Sequence, residues 1–101
     1  MPPSSAKLIR EFEAFHAANP EVYHLFKRFA YDAIRRHHQH FSSDMVLHRV
    51  RWETGVVTTG NLYKINNNYS AFYARLFMLQ HPAHQGFFRC RVSAADGWMP
   101  W

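Results

Sequence analysis

The chain has 101 residues, the size of one domain, which excludes a two-domain protein or a large cofactor-binding fold. Lysine and arginine outnumber the acids by 12 to 7, a formal charge of +5 without the eight histidines, so the composition favours an anionic partner. The aromatic content of 17% and the single cysteine exclude a disordered chain and a disulfide scaffold, and they are typical of a packed domain in a reducing compartment.

The N-terminal part predicts a flexible leader, residues 1–7, followed by two helices. Apolar residues recur at helical spacing from Leu8 to Phe15, and this first helix is expected to end near Asn19. Asn19 is then followed by a proline and an acid, which is typical of a helix start, so a second helix is predicted from Pro20 to about His38. Its expected buried residues are Val22, Leu25, Phe26, Phe29 and Ala33.

The middle of the chain predicts a turn, a short third helix and a β-hairpin. Histidines break the apolar pattern at 37–41, and Ser42–Asp44 supplies candidate N-caps for a helix that ends near Gly55. The expected buried residues of this helix are Met45, Val46 and Val50. β-branched and aromatic residues then flank a Gly60–Asn61 turn, which predicts a hairpin over Val56–Ile65.

The C-terminal part predicts a fourth helix, a strand and a tail. Asn66–Asn68 is expected to cap a helix over Tyr69–Gln80 that is apolar on nearly every side, so it lies in the core or is shared with another subunit. Alternation over Phe87–Val92 predicts a half-buried strand with Phe88 inward and Phe87 outward. Two interpretations stay open for these elements: a core helix with a tail docked on its own domain, or a homodimer through the Tyr69–Gln80 helix or the Trp98/Trp101 tail.

The order of these elements predicts the fold class. Two helices joined by a turn and followed by a hairpin favour a mainly helical α+β protein, winged helix-turn-helix-like, with a β-hairpin and one further strand. The single compact domain is expected to span residues 8–95, between the leader at 1–7 and the tryptophan-containing tail at 96–101. The third helix would then be the reading helix and the Gly60–Asn61 turn the tip of the wing.

Basic side chains indicate DNA binding, since lysine and arginine neutralise phosphates and release counterions. The residues expected to contact the DNA groove from the third helix are Ser43, His48, Arg49 and Arg51. The residues expected to contact the DNA backbone are Lys27, Arg28, Arg35, Arg36, Thr59 and Asn61. The aromatic residues suited to stacking among them are Tyr31, Trp52 and Phe87. The alternative interpretation is a solvated basic surface in which arginine stems cover apolar neighbours.

The sequence predicts no enzyme, no cofactor and no metal site. Catalytic signatures such as G-x-S-x-G, H-E-x-x-H and the phosphate-binding lysine loop are absent, and the seven acids are scattered. His48 with Asn66–Asn68 has the residue types of a histidine/asparagine nuclease site. Such a site also needs a metal cradle between a hairpin and a helix with a second histidine, and the helix predicted after the hairpin is apolar on nearly every side. The histidines at 37, 38 and 40 are clustered, but a structural metal site usually includes cysteine from a second segment, and Cys90 is expected to point inward.

Four blocks of the sequence resemble a set of small proteins encoded by tailed phages and prophages. The blocks are Phe15–Tyr23, Arg51–Trp52, Lys64–Arg75 and Gly86–Arg89. The resemblance implies a phage genome and a bacterial cytoplasm, and it assigns no functional residue. It also supports an alternative function, a small phage protein that binds and modulates a host protein, for example an inhibitor of host defence. The N-terminus lacks the apolar run of a signal peptide, and no segment of the sequence has the length of a membrane span, which agrees with a cytoplasmic location.

Overall fold

Four α-helices account for most of the part of the chain that the computed structural model describes, which is residues 3–38, 40–57, 68–88 and 98. The helices are α1 (Pro3–Ala18), α2 (Pro20–Arg35), α3 (Ser43–Val57) and α4 (Tyr69–Gln80), and a 3₁₀ turn follows at Pro82–His84. None of the described helices has the combination of length and apolar character needed to cross a bilayer.

The predicted α+β winged helix-turn-helix fold is wrong, because the described residues form a helical bundle. Helix α3 continues through Val56 and Val57, which were expected to begin the hairpin. A helix that is already nucleated gains a hydrogen bond for each residue added, and this gain outweighs the weaker strand preference of two valines. The rest of the predicted hairpin, with its Gly60–Asn61 turn, lies outside the described residues.

The predicted C-terminal strand is described only at its first two residues, where it also differs from expectation. Phe87 and Phe88 are both buried, so the two side chains do not alternate between core and solvent. Phe88 forms an isolated parallel bridge with Phe41, whose backbone N–H donates to the carbonyl of Phe87 at 3.1 Å. Residues 89–92 lie outside the described part of the chain.

The junction between α1 and α2 lies at Asn19, but this residue does not act as the predicted N-cap of α2. Its side-chain amide makes no capping bond to α2. It donates instead to the carbonyl of Phe15 at 3.0 Å, and its backbone N–H donates to the same carbonyl at 2.9 Å. Asn19 therefore closes the end of α1, and the start of α2 is set by Pro20 at its first position, as predicted. Helix α1 begins at Pro3, within the segment expected to be a leader.

Helix α2 ends at Arg35, three residues before the predicted end. His37 adopts a left-handed conformation with φ of 68°. The N–H of His38 donates to the carbonyl of Ala33, and the N–H of His37 donates to that of Ile34. This pair of bonds is a Schellman motif, which terminates the helix and turns the chain towards α3.

Helix α3 begins with the predicted serine cap, since the Ser42 hydroxyl accepts the N–H of Met45 at 3.3 Å. Its buried face consists of Val46, Leu47 and Val50. Met45 was expected in the core but is 61% exposed. The prediction failed because Met45 lies one position outside the stripe that α3 presents to α2 and α4.

The core is centred on α4, whose predicted bounds are confirmed, and α4 contacts both α2 and α3. Phe12 of α1 is fully buried, with its ring centroid 4.5 Å from that of Phe72 and 5.0 Å from that of Trp98. Trp98 packs onto its own domain, while Trp101 lies outside the described residues. A homodimer through α4 or the tail stays a prediction.

Candidate functional site

Helices α2 and α3 line a cavity of about 370 Å³, here called the α2–α3 groove. The α2 wall consists of Phe29, Asp32, Ala33 and Arg36. The α3 wall consists of Met45, His48, Arg49 and Trp52. In both walls the residues recur after three, four and seven positions, so each set lies on one helical face over about two turns. The groove is therefore bounded by two helical stripes of identical spacing.

The groove combines a buried apolar floor with exposed apolar walls. Phe29, Ala33 and Val46 are buried and form the floor. Met45 and Trp52 stand above it with 61% and 72% of their surface exposed. Exposed apolar side chains that adjoin a buried apolar floor extend it into a larger apolar surface, and large exposed apolar surfaces mark interaction sites.

One end of the groove is closed by the turn between the two helices. His38 and Phe41 line the groove there, with their rings edge to face at 5.1 Å. Phe41 contacts Phe87 in two ways. Their ring centroids lie 6.5 Å apart, and the backbone N–H of Phe41 donates to the carbonyl of Phe87. The early end of α2 contributes to this arrangement, because the Schellman turn ends the helix at Arg35 and leaves residues 36–42 to connect it to α3 beside the groove.

Three arginines surround a single carboxylate on the α2 wall. Arg49 Nη1 donates to Asp32 Oδ2 at 3.0 Å, across the groove from α3. Arg36 Nε lies 3.5 Å from the same oxygen, and Arg35 Nη2 lies 4.0 Å from Oδ1. The hydrogen bond from Arg49, helped by the charges of the other two arginines, lowers the pKa of Asp32. One anion among three cations leaves this cluster with an excess of two positive charges.

Arg49 ties the two walls together. Besides its bond to Asp32, its guanidinium lies 4.1 Å from the centroid of the Phe29 ring, a cation–π contact. The guanidinium of Arg49 thus covers part of the apolar floor and at the same time donates to Asp32. The arrangement brings hydrogen-bond donors next to apolar surface, which suits a ligand that has both an apolar and an anionic part.

The structure brings together some of the residues predicted to contact DNA. Arg36, His48 and Arg49 line the groove, and Arg35 joins them through Asp32. The remaining described residues of that prediction lie outside the lining, namely Ser43 and Arg51 on α3, and Lys27 and Arg28 on α2. The Lys27 ammonium lies over the ring of Tyr23, 4.8 Å from its centroid. Thr59 and Asn61 lie outside the described part of the chain.

Sequence reasoning missed Asp32, Met45 and most of the apolar lining of the groove. Asp32 stands three residues before Arg35 and four before Arg36, a spacing that predicts ion pairs along one helix face. Met45 and Trp52 are seven residues apart, which places them on one face of α3. That spacing was available in the sequence, but it does not show whether the face is covered by the rest of the chain.

The described histidines do not assemble into a metal site. Among the residues that the structure describes, no group of three histidine, cysteine or acidic side chains could hold a metal ion. His40 lies near the carbonyl of Gly86, and His81 near that of Phe77, at 3.3 and 2.9 Å. His81 and His84 also pack their rings against Tyr31.

Comparison of this chain with protein families, with curated proteins and with solved structures gave no match. The resemblance to phage and prophage proteins stays a prediction.

Proposed function

We propose that this protein is a binding module and that the α2–α3 groove is the surface on which it holds a partner protein. The observation that carries the proposal is the exposure of Trp52 and Met45 beside a buried apolar floor. Tryptophan, methionine and arginine are enriched in protein interfaces, where a few such residues supply most of the binding energy. Such a role corresponds to the alternative function that the resemblance to phage proteins implies, a small protein that binds and modulates a host protein.

DNA binding is the second candidate, and the net charge of +5 favours it. Arg28 and Arg35 are exposed on α2, and Arg36 is exposed directly after it, where they could contact phosphates. The position of α3 favours the protein partner instead, because a reading helix protrudes to enter the major groove of DNA. The exposed stripe of α3 lines a concave groove and does not protrude.

Photo-crosslinking tests the proposal. A photoreactive amino acid replaces Met45 in the full chain, and the same amino acid replaces Leu79 in a control, since Leu79 is 43% exposed on α4 and outside the groove lining. Irradiation in cells of the source organism is expected to link the Met45 position, and not the Leu79 position, to one protein. That protein is identified by mass spectrometry, purified, and titrated against the wild-type chain and Trp52→Ala.

The expected loss of affinity in Trp52→Ala is at least about tenfold, the range of an interface hot spot. Equal binding of Trp52→Ala and wild type would show that the groove is not the interface. Crosslinks from the Met45 position to nucleic acid without any protein would replace the proposal with the DNA-binding candidate.

A further inference from the structure

The side chains in both walls of the groove recur at the spacing found where one helix packs against another. Each wall shows one stripe over about two turns, or roughly 10 Å of helix. Phe29 and Val46 lie at the bottom, where α2 and α3 contact each other directly. Side chains that recur after three, four and seven residues on a third helix would fit between two such stripes, as an amphipathic helix fits into an apolar groove.

The charges of the groove indicate that the helix bound there carries negative charge. Asp32 already occupies the arginine cluster as a carboxylate, and the excess of two positive charges remains around it. Guanidinium groups have five N–H donors each and bind carboxylates in a fork geometry, so the cluster has donors left for a second carboxylate. A glutamate or aspartate beside the apolar stripe of the partner would meet Arg36 or Arg49.

The same charges disfavour a second copy of this chain as the occupant. The chain carries a net charge of +5, and the exposed cations of α2 would face those of the groove in a dimer. Like charges placed together across an interface cost binding energy. We therefore infer that the partner presents an acidic amphipathic helix, whose apolar stripe lies between Met45 and Trp52 and whose carboxylates bind Arg36 and Arg49. This inference rests on the proposed function.

The test uses a fluorescein-labelled peptide of about 15 residues, the length at which an isolated helix begins to form. It carries leucines at spacings of three and four residues and glutamates at most other positions. One control peptide replaces every glutamate by lysine, and a second has the same composition with the leucine stripe scrambled. Fluorescence anisotropy is measured with the full-length chain, with Trp52→Ala, and with Leu79→Ala as the matched control.

The glutamate peptide is expected to bind at least about tenfold more tightly than either control peptide. Trp52→Ala is expected to lose at least about tenfold, while Leu79→Ala binds as the wild type does. Arg36→Glu is the second variant, because Arg36 is exposed and the change reverses one charge of the groove. It is expected to weaken the glutamate peptide and to strengthen the lysine peptide, which a general loss of folding could not do.

The failures of the two proposals are distinguishable. Equal binding of the scrambled or the lysine peptide would overturn the acidic helix and leave the protein partner standing, provided that the crosslinked protein still depends on Trp52. Lack of binding by the glutamate peptide at the highest soluble concentration would also overturn the acidic helix alone. An oligothymidylate that displaces the peptide and depends on Trp52 would overturn both the helix and the protein partner.

Discussion

Asp32 is the residue that sets the charge of the candidate site. Its carboxylate accepts the hydrogen bond from Arg49 and lies within 4.0 Å of Arg35 and Arg36. These contacts lower the pKa of Asp32, so it stays ionised to lower pH than an isolated aspartate. An internal anion of this kind orders the arginines, and it also competes with any carboxylate that a partner brings.

Replacing Asp32 by asparagine therefore tests both roles. The change removes the competing charge, and we expect Asp32→Asn to bind the glutamate peptide about two- to fivefold more tightly, the range of an exposed ion pair. It should also reduce the loss of stability below pH 3.8, because a lowered pKa stabilises the fold above that pH and loses this contribution as the pH falls. Peptide titrations and urea unfolding from pH 2 to 5 measure the two effects. A weaker affinity of Asp32→Asn for the peptide would show that ordering the arginines outweighs competition.

His16 makes the fold sensitive to pH. Burial of its ring beside those of Phe12, Tyr23 and Tyr73 lowers the pKa of the imidazole below the usual 6.5, and His24 lowers it further. The unfolded chain takes up a proton near pH 6.5 that the folded chain does not. The free energy of unfolding must then fall as the pH drops through 6.5 towards the lower folded pKa, and it is unaffected by His16 above that window.

Replacing His16 by glutamine is expected to reduce the dependence of the free energy of unfolding on pH below 6.5. Urea unfolding between pH 8 and 5 measures the free energy of unfolding of the wild type and of His16→Gln. The difference between the two free energies is expected to shrink as the pH falls. His48→Gln is the matched control, because His48 is exposed on α3. A constant difference between the wild type and His16→Gln at all pH values would show that the His16 ring only fills space.

The end of α2 is the element on which the shape of the groove depends. His37 occupies the left-handed position of the Schellman motif, where an L side chain costs about 1 kcal/mol and glycine costs nothing. His37→Gly is therefore expected to raise the free energy of unfolding by about 0.5 kcal/mol, because relief of about 1 kcal/mol of strain exceeds the roughly 0.5 kcal/mol lost through the added freedom of the unfolded chain. His38→Gly is the control, since His37 is the one residue other than glycine with positive φ in the described ranges. We expect His38→Gly to lower the free energy of unfolding by roughly 0.5 kcal/mol, because glycine adds freedom to the unfolded chain there. Urea unfolding measures both, and equal effects would contradict the strained turn.

The helices could be predicted because their signals are local. Pro20 at the start of α2 and the apolar run over Tyr69–Gln80 act within one or two turns, and the structure confirms both. The predicted start of the hairpin was wrong, since Val56 and Val57 have a strand preference that continuation of α3 overrides. Asn19 also could not be assigned from local sequence. Its amide can close the helix before it or cap the helix after it, and the relative position of α1 and α2 decides which of the two bonds forms.

The fold class and the site depend on the whole molecule, and this is why they were harder to predict. The crossing of α2 and α3 brings Asp32 to Arg49, seventeen positions later in the chain, and no local pattern specifies that angle. The basic residues of the groove, Arg36, His48 and Arg49, were recognised from charge alone. The apolar half of the site was missed at Met45, because its apolar character predicts burial as readily as a binding surface.

Two tryptophans separate the stability of the molecule from its binding. Trp98 is 8% exposed and packs against Phe12 and Phe72, while Trp52 is 72% exposed on the groove wall. Trp98→Ala is expected to lower the free energy of unfolding by about 3 kcal/mol or more, because a large ring is lost from the core. Trp52→Ala is expected to change it by less than about 0.5 kcal/mol, because a largely exposed ring contributes little to folding.

In affinity for the glutamate peptide, the same two variants are expected to show the reverse: the variant that keeps its stability loses binding. Trp52→Ala should lose at least about tenfold in affinity for the glutamate peptide, and Trp98→Ala, measured where it remains folded by circular dichroism, should keep it. Urea unfolding and anisotropy on the same samples give the two quantities. A large loss of stability in Trp52→Ala would mean that this ring packs onto its own chain, and the groove would then no longer present an uncovered apolar surface. Retained stability with lost binding is the result expected if the Trp52 ring contacts the peptide and not its own chain.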